Sequence, residues 1–140
     1  MKKLIIFGVN GNCIDILETV NEINEKADKS IYECIGFLDD NQDHWGKVYH
    51  GIEVLGPLDI ASKYEECFFI NGIGSPFNFW KKQEIISKTQ VTSKQFETII
   101  HPSASVSKLA KLGHGTVVLQ NVTIASNVTI GDHVMILPNT

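Results

Sequence analysis

The sequence predicts an α/β parallel sheet followed by the opening coils of a parallel β-helix. Three observations carry this. Residues up to about 95 alternate short apolar runs with helical patterns. From Ile100 onward the apolar period changes to six. The two periods meet at the join "FETIIHPSASVS". The expected division is therefore 1–98 for the α/β part and 99–140 for the first coils of the β-helix.

The α/β part is read as follows. "KKLIIFG" is a continuous apolar run ending at Gly8, which suits a strand buried on both faces. From Gly11 to about Glu25, Cys13, Ile16, Leu17, Val20 and Ile23 share one helical face. "YECIGFLDD" is a second strand ending in paired acids, and "ECFFINGIG" a third ending at Gly72 and Gly74. The polar, Gly-punctuated stretch from Asn41 to Gly56 is expected to be a loop with one short hairpin. A helix is expected from near Phe77 to Lys88, burying Phe77, Trp80 and part of the Ile85–Ile86 pair. Strand–helix–strand order implies a parallel sheet.

The second part divides into hexads: IHPSAS, VSKLAK, LGHGTV, VLQNVT, IASNVT, IGDHVM, ILPNT. The first place holds Ile100, Val106, Leu112, Val118, Ile124, Ile130 and Ile136, all aliphatic. The fifth holds Ala104, Ala110, Thr116, Val122, Val128, Val134 and Thr140, all small or β-branched. Neither a 3.6 nor a 2.0 period produces this, whereas a three-sided solenoid does. Each short flat strand with its turn covers one side of a prism. The first place is expected to point inward and the fifth to fit near the corner.

Composition narrows the function. A net charge of -4 gives no electrostatic reason to expect nucleic acid or an anionic membrane as partner. The apolar run Leu4–Phe7 is too short for a signal-peptide core or a span. Cys13, Cys34 and Cys67 are odd in number and widely spaced, which fits reduced thiols in a cytoplasm and no metal site.

The hexads together with "IIFGVNGNCIDI...GFLDD" and "FETIIHPSASVS" resemble the sugar acetyltransferases that place a small Rossmann-like domain before a left-handed β-helix of hexapeptide repeats. That group includes nucleotide-linked amino-sugar N-acetyltransferases and sialic acid O-acetyltransferases. The resemblance implies acetyl transfer from acetyl-CoA to a nucleotide-activated sugar, with a His as general base, no metal, and a homotrimer. It implies substrate contacts at Gly8, Asn10, Gly11 and Asn12 in the loop after the first strand. It adds Asp39 and Asp40 after the second, and Gly74 after the third. These positions sit at strand carboxyl ends, where open α/β sheets bind ligands. The loop departs from the group's pattern at Asn10, where a small residue is common, and at Asn12, where His is common.

In relatives the catalytic His follows the stretch matching "MILPNT" by about one hexad. The resemblance therefore implies that the base lies beyond residue 140, and that this chain alone is without it. His44, His50, His101, His114 and His133 are expected at turns or the surface, with His133 the candidate to line a pocket. Ser103, Ser105 and Ser107 show no His–acid partner by spacing. Lys81 and Lys82 could reach a phosphate or simply be solvated. The alternative is a NAD(P)- or nucleotide-binding Rossmann protein with a non-catalytic β-helix scaffold. "GVNGNC" lacks the GxGxxG spacing, and Asp39 lies further past Gly11 than the ~20 residues of that fingerprint.

Overall fold

The computed structural model describes residues 1–74 and 79–140, with all their side chains except those of Phe79 and Trp80. The expected burial of Phe77 and Trp80 lies outside what is described.

The apolar runs form strands β1 (Lys2–Phe7), β2 (Tyr32–Leu38), β3 (Val48–Tyr49), β4 (Ile52–Gly56) and β5 (Phe68–Asn71). They make one sheet in the order β3-β4-β2-β1-β5. β4, β2, β1 and β5 run parallel, and β3 pairs antiparallel with β4. Helix α1 (Gly11–Lys26) buries Cys13, Ile16, Leu17 and Val20, the stripe its sequence spacing predicts. Asn24 clips its C-terminal half to the sheet: its carboxamide oxygen accepts from the N–H groups of Ile31 and Tyr32, and its nitrogen donates to the Tyr32 carbonyl. Helix α2 spans Phe79–Lys88.

One expectation for this part was incomplete. The stretch 41–56 does hold a hairpin, but its second arm, β4, also joins the main sheet beside β2. β4 is only five residues long, and one of its neighbours is the two-residue strand β3. Periodicity over so few residues did not show this.

The hexads form seven two-residue strands: β6 (Ile99–Ile100), β7 (Ser105–Val106), β8 (Lys111–Leu112), β9 (Val117–Val118), β10 (Thr123–Ile124), β11 (Thr129–Ile130) and β12 (Met135–Ile136). Paired residues stand 18 positions apart, as in Ile99↔Val117 and Val117↔Met135. Three hexads therefore close one coil. The three stacks are β6-β9-β12, β7-β10 and β8-β11, all parallel. First-place Val118 and Ile124 pack inside with Val106, Leu112, Ile130 and Ile136, alongside Ala104, Ala110, Val122 and Val128 of the fifth place.

Three members are exposed: Ile100, Val134 and Thr140. Ile100 is 37% exposed, because β6 has a coil stacked on one side only. Fifth-place Val134 is exposed to the same degree. The fourth place is the corner. Gly115, Asn121, Asn127, His133 and Asn139 all have positive φ. Glycine and asparagine tolerate this region best, which explains their recurrence at intervals of six.

The two parts share one core. Ile99, Val117 and Leu119 are buried with Leu4, Ile6, Cys13, Ile16 and Val20, so the face built from β6, β9 and β12 packs against α1. A polar clasp reinforces the junction. Tyr32 Oη donates to Glu97 at 2.7 Å, and Lys2 Nζ pairs with the same carboxylate at 3.1 Å.

Candidate functional site

The first-strand loop is built around a buried thiol. Cys13 Sγ donates toward the Phe7 carbonyl at 3.3 Å, and burial pushes its pKa up to about 12, so it remains a thiol. Gly8 has φ +97, and a Cβ there would stand 2.7 Å from Ile73 Cγ1 and 2.9 Å from Cys13 Sγ. Only glycine meets both demands. Asn10 is the N-cap of α1. Its side chain accepts from Cys13 N at 3.2 Å and donates to the Gly72 carbonyl, which joins the loop to the end of β5. Asn10 is thus a fastener as well as a loop-surface residue.

The paired acids after β2 have different duties. Asp40 Oδ1 accepts from Leu58 N at 3.0 Å and Oδ2 pairs with Lys88. Burial pushes its pKa up, but these bonds outweigh that and leave it below the usual carboxylate range. Asp39 Oδ1 accepts from Asn41 N at 2.8 Å and lies 3.4 Å from His44 Nδ1. Among the described residues its Oδ2 makes no hydrogen bond.

Two cavities meet at Ile73. The first, about 590 Å³, is lined by Gly8, Val9, Asn10, Asp39, Asp40 and His44, with Tyr49, Leu58 and Ile85 on its walls. The second, about 570 Å³, lies between the carboxyl end of β5 and the spiral. Asn12, Asn71, Gly74, Lys82, Asp132 and His133 line it, with Val134, Met135 and Leu137 on the spiral side. The structure therefore brings Gly8, Asn10, Asp39 and Asp40 together, places Asn12 and Gly74 in the adjoining cavity, and leaves Gly11 exposed in neither.

His133 differs from expectation. It stands at a corner, φ 57, yet is buried. Its ring meets Phe96 edge-on at 4.4 Å, and Nδ1 is buried without a hydrogen-bond partner among the described residues. Burial pulls its pKa below the usual imidazole range, the neighbouring Lys82 and His114 add to this, and Asp132 opposes it.

His101 also gains partners that spacing did not reveal. Its Nε2 pairs with Glu22 of α1, and its Nδ1 lies 2.8 Å from Ser103 Oγ. That Nδ1 also accepts from Ser103 N, and Ser103 Oγ accepts from Asn121 N of the next coil. The group fastens helix to spiral. His44 and Tyr49 were missed as lining residues because they lie in the stretch read as a polar loop, and only the sheet position of β4 brings them to the cavity.

A parallel sheet joined to a three-sided parallel spiral is also found in solved acetyltransferase structures. Among solved structures, the acetyltransferase domain of PglB from Neisseria gonorrhoeae FA1090 aligns with a TM-score of 0.77 at 22% identity, covering 99% of this chain and 63% of that one. The same domain in complex with acetyl coenzyme A gives 0.75 at 19% identity, covering 99% and 62%. PerB from Caulobacter crescentus in complex with CoA and GDP-perosamine gives 0.75 at 21% identity, covering 99% and 61%. At these identities the likeness is one of fold, and the chain spans about three fifths of the length of those structures. No family model matches the sequence, and no curated protein does.

Among the described residues no helix is long and apolar enough to cross a membrane. No group of three or more His, Cys, Asp or Glu among them is placed to hold a metal.

Proposed function

We propose that the whole protein transfers the acetyl group of acetyl-CoA to an amine or hydroxyl of a nucleotide-linked sugar, and that these 140 residues hold the nucleotide sugar. The observation that carries this reading is the pair of joined cavities at the strand carboxyl ends. One runs along the Gly8 loop and Asp39, and the other abuts the spiral. The two together suit an extended ligand with a nucleoside at one end and a sugar at the other.

In this proposal residues 1–98 form a Rossmann-like nucleotide-sugar domain and residues 99–140 open a left-handed β-helix. The nucleoside lies in the first cavity. Asp39 Oδ2 accepts from a base N–H or a ribose hydroxyl. Asp40, held by Leu58 N and Lys88, shapes the wall beside it. Gly8 lets the diphosphate approach the backbone, and the free N–H groups at the start of α1 favour its charge. Asn12 and Gly74 border the sugar. The acceptor group then attacks the thioester carbonyl while a His removes its proton. Backbone N–H groups of the coils stabilise the oxyanion, and the CoA thiolate leaves. That His belongs to the hexad after residue 140 in this proposal. The assembly is a cytoplasmic homotrimer with acetyl-CoA between protomers along the spiral.

The test is calorimetric titration of the 140-residue chain with UDP- and GDP-linked amino sugars, with NADH as control. Binding of a nucleotide sugar that is lost in Asp39→Ala supports the reading. Tight NADH binding with no nucleotide-sugar binding overturns it in favour of a dinucleotide-binding protein.

A further inference from the structure

We infer that Lys82, and not its neighbour Lys81, is the cation that recognises the diphosphate of the ligand and so sets the preference for nucleoside diphosphates over nucleosides. This rests on the nucleotide-sugar reading above. In sequence the two lysines are equivalent neighbours on one helix, but the fold separates them. Lys81 is exposed, whereas Lys82 is half-buried and turned into the cavity against the spiral.

Its position is fixed at both ends. The stem runs by Gly74, whose Cβ, if present, would stand 3.4 Å from Lys82 Cε. The ammonium donates to the His133 carbonyl at 2.6 Å, a contact between residues 51 positions apart. An ammonium carries three donors. This carbonyl takes one, and no other hydrogen bond engages Lys82 among the described residues. Among the described residues, two donors are left for a ligand in the same cavity.

Lys82 is also the only lysine or arginine lining either cavity among the described residues. No carboxylate forms a salt bridge with it there; the acid on its wall, Asp132, spends Oδ1 on His114 N. Burial lowers its pKa, the mark of a charge held partly out of water without an anionic partner. A phosphate oxygen would supply that partner. Asn12, at the start of α1, lines the same cavity and places it beside the loop that leads to Gly8. A ligand that spans both cavities enters the one that holds the ammonium.

The experiment compares UDP with uridine, and GDP with guanosine, on the wild-type chain, Lys82→Met and Lys81→Met. Lys82→Met is expected to weaken diphosphate binding by about tenfold or more and to leave nucleoside binding unchanged. Lys82→Arg is expected to restore part of the loss, and Lys81→Met to change neither. Equal weakening of nucleoside and diphosphate would assign Lys82 a structural role and overturn the inference. So would unaltered diphosphate affinity, with the nucleotide-sugar reading left standing. Failure of the wild type to bind any of the four would sink that reading and this inference together. A measurement on the wild type alone guards against a variant that fails to fold. UDP, and not uridine, should protect Lys82 from an amine-acylating reagent, and equal labelling in both would overturn the assignment.

Discussion

The sheet and the spiral bury apolar side chains by different rules, and the contrast shows where each is fragile. In the sheet, Leu4, Ile5, Ile6, Phe7, Phe37 and Phe69 are fully enclosed, and Phe7, Phe69 and Phe96 touch ring to ring. In the spiral the interior is a narrow column, and several of its members are only partly buried. The sheet is held by large residues with many neighbours. The spiral is held by repetition: each coil is secured by the ladder to the next and by corners that need a left-handed backbone. Disruption of the sheet should therefore come from lost volume, and disruption of the spiral from lost corner geometry.

The largest effect should come from Phe69→Ala, which removes a fully buried ring from the sheet core. Chemical denaturation should show a loss of about 3–5 kcal/mol. Its counterpart in the column, Val118→Ala, removes fewer buried atoms and should cost less; an equal or larger cost would break the contrast.

Corner substitutions come next. Gly115 has φ +73, and a Cβ there would lie 2.6 Å from His133 Nδ1. Gly115→Ala should cost about 2 kcal/mol, from backbone strain and displacement of the imidazole. At the exposed corner Asn121 only the strain applies, so Asn121→Ala should cost about 1 kcal/mol and Asn121→Gly close to none. A denaturation series in which all three behave alike would show that the corners do not limit the spiral.

The smallest effect is a pH dependence. His133 titrates below the usual imidazole range when folded, so the unfolded chain binds its proton more readily. Its contribution to stability is full above about pH 6.5. It is lost as pH falls from there through the folded-state value. His133→Asn keeps a residue suited to the corner and removes the titration. Melting temperatures of the two proteins should diverge least at low pH, and a constant difference from pH 5 to 8 would contradict this.

Much of this could be read from the chain. Helix α1 was legible because Cys13, Ile16, Leu17 and Val20 repeat with the helical period and nothing local opposes them. The coils were legible because one rule applies seven times. The hexads carry a further signal. The sixth place is polar in Ser105, Lys111, Thr123 and Thr129 but apolar in Val117 and Met135, 18 residues apart. That alternation marks the one face that meets the rest of the protein. Strand β4 stayed hidden because five residues beside a two-residue strand carry too little pattern. The candidate site was legible in outline at Gly8, Asp39 and Gly74. Its partition into two cavities, and the unequal duties of Asp39 and Asp40, were not.

The sequence by itself determined the two periods, because burial along a helix or a coil depends on neighbours at short, fixed separations. Only the tertiary structure decided which of Lys81 and Lys82 enters a cavity, that His133 is buried at its corner, and that Glu22 reaches His101 across 79 positions. Those outcomes depend on how the spiral docks on α1 and β5. Docking sums many weak contacts between distant residues, and no local pattern records it.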